Sequence, residues 1–101
     1  MNYRIKYMED TISDRDYVKA YLSKFYPGTA KRFFTLLKKR TNILKTYPES
    51  CPIYEDDPYY RKLVVGDYLV FYVLNDDEKV IEIHRILHGS MDIRQHLNRD
   101  R

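Results

Sequence analysis

Arg61, His84, Arg85 and His88 are the side chains best suited to chemistry in this sequence, with Tyr68, Tyr72, Glu82 and Lys62 near them in the chain. Cations hold phosphate, tyrosine rings stack on bases, and His or Glu can move a proton. That combination suits contact with RNA. Each residue also has an ordinary reading: Tyr68 and Tyr72 as amphipathic sheet residues, His84 as a half-buried strand histidine, and Arg85 as the partner of an acid at the sheet edge. Arg61 is the strongest functional candidate of the set. Other chemistries find little support. With three Gly in the chain there is no Gly-rich phosphate loop. The His84/His88 spacing suits a metal on a helix, but here it falls on a strand and its end, so neither a metal site nor a cofactor is expected. Cys51 lies in a proline loop without a local base, and one Cys forms no intramolecular disulfide.

A second set is electrostatic. The chain of 101 residues carries +3, but unevenly. Residues 1–47 carry a net +7, residues 48–78 a net −6 and residues 79–101 a net +2. From Gly28 to Pro48 there are six basic residues and no acid, with Lys38, Lys39 and Arg40 in succession. Such a run is either a solvated helix face or a surface for phosphate or an acidic protein. Eleven Tyr and no Trp also suit a binding protein, because each ring has an apolar body and a polar tip.

The elements that must position these residues follow from periodicity. Tyr3, Ile5 and Tyr7 alternate with Arg4 and Lys6, as in a half-buried strand. Thr11–Ser13 offers a helix N-cap, with Asp14 and Asp16 in the first turn. Val18, Tyr21, Leu22 and Phe25 follow at helical spacing, and Pro27-Gly28 ends that helix. Thr29 can cap the next, whose inner stripe reads Ala30, Phe33, Phe34, Leu37, Thr41 and Leu44. Leu36 and Ile43 fall off the stripe and offer apolar surface to a partner. After a proline-rich loop, residues 59–65, 68–74 and 79–87 read as three strands of an antiparallel meander. Residues 91–97 form a short turn or helix, and 98–101 are expected to fray. The order β-α-α-β-β-β predicts a single α+β domain over 1–101, an antiparallel sheet with a helical hairpin on one face. Strand parity groups Val80, Glu82, His84, Ile86 and His88, and sets Leu69, Phe71 and Val73 under the helices. Tyr68, Tyr72, Glu82, His84 and His88 are then left for the open face. No run approaches a membrane span, and residues 1–10 lack a signal-peptide core, so a cytoplasmic protein with no membrane contact is expected.

The stretch Tyr60-Arg-Lys-Leu-Val-Val-Gly-Asp-Tyr-Leu-Val-Phe-Tyr-Val-Leu74 resembles the strand pair of RelE/ParE toxins, as does Ile81-Glu-Ile-His-Arg-Ile-Leu-His-Gly89 with Asp92 behind it. The loop Tyr47-Pro48-Glu49-Ser50 after the second helix fits as well. The resemblance covers nearly the whole chain in element order and is strongest over 59–92. It implies a bacterial toxin of a type II toxin–antitoxin pair, of the plasmid-stabilisation type, neutralised by an acidic and partly disordered antitoxin. RelE-like members cut mRNA at the ribosome, and ParE-like members poison DNA gyrase; fold alone does not choose between them. For the first mechanism the resemblance assigns catalysis to Arg61, His84 and Arg85. However, Leu69, Ser90 and Met91 stand where many members carry arginines, which removes transition-state charge. Arg85 and His88 match a signature common in ParE-like members. Nucleic-acid or target binding is expected of Lys38, Lys39, Arg40, Lys62, His88 and Arg94. The lost arginines also leave open a degenerate toxin that only binds its antitoxin.

Overall fold

The computed structural model describes residues 2–97. Its elements are β1 (Arg4–Tyr7), α1 (Glu9–Leu22), α2 (Thr29–Thr46), β2 (Arg61–Val65), β3 (Tyr68–Asn75), β4 (Val80–His88) and α3 (Ile93–Leu97). The expected α+β order holds. Residues 98–101, expected to fray, lie outside the described residues. The strand order is β1-β4-β3-β2. The β2-β3-β4 meander is antiparallel as expected, while β1 joins β4 in parallel and makes the sheet mixed. A parallel neighbour is available because the whole helical hairpin and meander intervene before the chain returns to β1.

α1 begins at least three residues earlier than its polar residues suggest, with Met8 at the N-cap position. Thr11 is not a cap: it is fully buried, and its Oγ1 donates to the Ile83 carbonyl at 2.6 Å. Gly28, at φ 85°, is the N-cap of α2 rather than Thr29. The α2 stripe buries Leu37, Thr41 and Leu44, with Phe33 and Phe34 half-buried beside them. Leu36 packs partly on the core, whereas Ile43 is 48% exposed.

The two faces of the sheet are the reverse of the parity reading. Tyr68, Val70 and Tyr72 face the helices and pack with Val18, Leu37 and Leu44. Phe71, with Leu69 and Val73 beside it, belongs to a second cluster on the other face, together with Tyr60, Leu87 and Leu97. That face is therefore not open: the 52–60 loop and α3 cover it. Two apolar sets alternate along β3, and nothing in a uniformly apolar strand says which lies under the helices. A bulge breaks the parity of β4 as well. Phe71 pairs with Arg85, but Tyr72 pairs with Ile83, so His84 is the extra residue. Glu82 and His84 thus lie on the second face, while Ile86 and His88 lie on the helix side.

Candidate functional site

Where β1 ends, α1 takes over the flank of β4, and Arg85 is fixed at that junction. Its Nε and Nη2 donate to the two Asp14 carboxylate oxygens at 2.8 and 2.9 Å. Its Nη1 donates to the His96 carbonyl of α3, and the Ile86 N–H donates to Asp14 at 2.9 Å. The ion pair leaves the guanidinium 20% and the carboxylate 12% exposed. The hydrogen bonds that Arg85 donates to Asp14, with the charge of that carboxylate, outweigh burial and push the Arg85 pKa above its ordinary value. Arg85 does pair with an acid, as expected of a strand arginine. That acid is a helix residue which the sequence reading assigned to the dipole of α1, and the spacing of 71 residues gives no local signal of it.

His84 stands one residue away on the second face. Its Nε2 lies 3.1 Å from Glu82 Oε1, and its ring meets Tyr59 and Tyr60 edge-on at 6.1 and 5.6 Å. His84 and Arg85 share a recess of about 260 Å³ with Tyr60, Glu9, Asp10 and His96. This is a carboxylate–imidazole pair beside a guanidinium whose three nitrogens each donate to a protein oxygen.

Arg61 is not part of this constellation. It pairs in register with Tyr72, whose ring lies in the helix-side core, so Arg61 and His84 are on opposite faces. The Arg61 Nη1 donates to the Cys51 carbonyl at 2.7 Å and more weakly to that of Glu49 at 3.4 Å. The Tyr72 hydroxyl donates to the Pro48 carbonyl at 2.9 Å. The two residues pin the 48–51 loop. Burial, then the neighbouring Cys51, pushes the Tyr72 pKa far up.

The target-contact candidates separate into three places. Lys38, Lys39 and Arg40 are exposed on α2, and the Arg40 Nη1 reaches the Val64 carbonyl at 3.1 Å. Lys62 lies over the Tyr54 ring at 5.7 Å on the second face. Arg94 is close enough to Tyr54 to oppose the rise in its pKa that burial and Asp56 cause. His88 ends β4 on the helix side, its ring 5.1 Å from Tyr68, and its Nδ1 accepts from the Ser90 N–H at 3.1 Å. Tyr68 and His88 line a groove of about 610 Å³ with Tyr17, Tyr21 and Met91. The sequence reading did not single out the aromatic surface nearby: Tyr17, Tyr21, Phe25 and Tyr26 are 69%, 41%, 53% and 80% exposed around the hairpin tip. Tyr21 and Phe25 share the helical spacing of Val18 and Leu22, and that spacing alone carries no sign of their exposure. Among the described residues no cluster of three or more metal-ligating side chains occurs, and no helix is long and apolar enough to cross a membrane.

A mixed four-strand sheet under a helical hairpin is the RelE/ParE class of toxin fold. The family described as the ParE toxin of type II toxin–antitoxin systems matches residues 5–93, and the chain belongs to that family. Solved structures agree on the fold. The chromosomal ParDE system of P. aeruginosa superposes with a TM-score of 0.71 at 16% identity, over 85% of this chain and 95% of that one. The RelBE2 toxin–antitoxin complex of Mycobacterium tuberculosis gives 0.62 at 16% identity, over 87% and 99%. The intact E. coli RelBE complex gives 0.60 at 15% identity, over 88% and 99%. No curated protein matches the chain in sequence.

Proposed function

We propose that this toxin arrests growth by binding a protein target, DNA gyrase, through its helical hairpin, and that a cognate acidic antitoxin neutralises it. The observation that carries this reading is the dispersal of the would-be nucleolytic residues. Arg61 and His84 lie on opposite faces, and the Arg61 and Arg85 guanidiniums are engaged by the protein itself. Stabilising a phosphorane-like transition state needs preorganised donors converging on one point. The hairpin, by contrast, offers exposed Lys31, Arg32, Lys38 and Lys39 with exposed Tyr26, Phe25 and Ile43, a cationic surface with apolar anchors.

The test is expression in cells with two readouts, plasmid supercoiling on a chloroquine gel and message integrity by primer extension. Relaxed or broken DNA with intact messages is expected. Charge reversal at Lys38, Lys39 and Arg40 should abolish the arrest while circular dichroism stays unchanged. A triple variant that still kills removes the hairpin from consideration.

One observation favours a second reading, ribosome-dependent mRNA cleavage: the Glu82–His84 pair beside Arg85 in one recess. On that reading His84→Ala loses toxicity without losing stability, and translated messages are cut. Continued growth with neither effect would point to a degenerate toxin that retains only antitoxin binding.

A further inference from the structure

A groove of about 610 Å³ runs between α1 and the end of β4, a size within the range of small-molecule sites. Tyr17, Tyr21, Tyr68, His88 and Met91 line it, over the buried Val18 and Ile86. A spacing of four along α1 sets Tyr17 and Tyr21 one above the other on a single face. Tyr68 is the fixed corner. Its ring meets Phe33 at 4.9 Å and stands at 87° to the His88 ring, 5.1 Å away. The Ser90 N–H donates to His88 Nδ1 at 3.1 Å, and the Met91 N–H donates to the His88 carbonyl at 3.0 Å. That turn brings the Met91 thioether to the groove.

The charge of the lining selects a ligand. The chain has 18 Lys and Arg, yet Arg85 is the only one of them among the lining residues. Its guanidinium is drawn onto Asp14 through two nitrogens and onto the His96 carbonyl through the third. What remains is aromatic faces, hydroxyl oxygens and a thioether, groups that favour a positive charge. Burial raises the Tyr68 pKa, and Tyr21, Tyr17 and Asp67 stand near enough to raise it further. Surroundings that resist a phenolate welcome a cation. A nucleobase would stack on such rings, but its phosphate would find no lysine here. A neutral apolar molecule would fill the groove without drawing on the ring quadrupoles.

From this lining we infer that the groove between α1 and the end of β4 binds a small organic cation, an alkylammonium group with an apolar body, held by the rings of Tyr17, Tyr21 and Tyr68 and by the Met91 side chain. The inference goes beyond the target reading above, which draws on α2 and the hairpin tip, and neither result decides the other.

The experiment titrates the full chain with choline and, separately, with dimethylbutanol, the isostere with carbon in place of the charged nitrogen. It is run at about pH 8, above the ordinary imidazole range. The Met91 methyl and tyrosine ring resonances are followed by nuclear magnetic resonance. Choline should shift the Met91 methyl saturably and bind at least tenfold more tightly than dimethylbutanol. Tyr17→Leu with Tyr21→Leu should weaken choline binding at least tenfold. Tyr17→Phe with Tyr21→Phe keeps the rings and should hold it within threefold. Tyr26→Leu, at the hairpin tip, should leave it within twofold. Tyr17→Leu alone, at a side chain 69% exposed, decides the matter if the double leucine variant does not fold. A glycine–serine peptide carrying one trimethyllysine separates the two sources of such a group. Binding tenfold tighter than choline assigns the cation to a partner polypeptide, and equal binding assigns it to a free small molecule. Equal affinity for choline and its neutral isostere, equal loss in the leucine and phenylalanine pairs, or no shift of Met91 would each overturn the inference.

Discussion

At the residue scale, Arg85 is a structural hub, and its family position alone would not say so. Three elements meet on one guanidinium: β4 carries it, α1 binds it through Asp14, and α3 accepts from it at His96. Truncating one member of a pair this shielded leaves an unpaired charge behind. Arg85→Ala should cost roughly 3 kcal/mol in urea unfolding. Arg85→Ala with Asp14→Ala should cost less than the two single changes together, because the second removes the orphaned carboxylate. Strict additivity would mean that the pair is screened into insignificance. The tyrosines make a separate prediction. Burial raises the Tyr68 and Tyr72 pKa values above 10.0, so the folded state holds their protons more tightly than the unfolded chain does. That stabilisation is fully present below the unfolded value near 10 and is lost as pH rises beyond it, because the unfolded state then sheds protons that the native state keeps. Stability measured by chemical denaturation should fall above pH 10. Tyr72→Phe should make that fall shallower. At pH 7 it should cost about 1 kcal/mol through the bond lost to Pro48. The sequence showed the types of these residues and the loss of arginines at Leu69, Ser90 and Met91. It did not show their partners, because the Arg85–Asp14 and Tyr72–Pro48 contacts join positions 71 and 24 apart.

At the element scale, periodicity located every helix and strand among the described residues to within a few positions, and then misassigned the faces. The reason lies in β3 and β4. Tyr68–Leu74 is apolar at every position, so period two gives two equivalent faces and no ranking between them. The bulge at His84 then swaps the faces midway along β4. Glu82 and His84 stay with the second face as their parity suggests, while His88 crosses to the helix side. The pairing of Ile5 with Ile81 and of Tyr7 with Ile83 is unaffected, since β1 spans only the part before the bulge. The α1–α2 turn was legible as Pro27-Gly28 but not in its detail. Gly28 sits at φ 85°, where a side chain is strained, and an added Cβ would meet the mobile Arg32 side chain at 3.2 Å. The strain rather than the contact should set the cost. Gly28→Ala should destabilise by about 1 kcal/mol in thermal or urea unfolding. Asn, which tolerates this region better, should recover part of that loss. A neutral Gly28→Ala would mean that the turn relaxes and that the entry to α2 is not fixed by this residue.

For the whole molecule, the sheet is a shared wall between two cores, and that bears on how the protein unfolds. Tyr72 and Phe71 are consecutive residues, both fully buried, yet one packs under the hairpin and the other under α3 and the 52–60 loop. Neither core can lose its wall without exposing the other. α3 has five residues, far too few to hold a helix by local hydrogen bonding, so it depends on Leu97 and Ile93 in the second cluster and on the Arg85 bond to its last turn. Leu97→Ala should therefore cost about 2–3 kcal/mol, at the low end for a buried leucine because a helix of five residues can shift to fill the space. Leu44→Ala, beneath the hairpin and 1% exposed, should cost more, about 3–4 kcal/mol. If the shared strand makes the two cores one cooperative unit, both variants shift a single transition, and tyrosine fluorescence and far-ultraviolet circular dichroism report the same midpoint. Separate midpoints in the Leu97 variant, with the helical signal surviving the fluorescence change, would show instead that the second core melts on its own and that the hairpin and sheet stand without it.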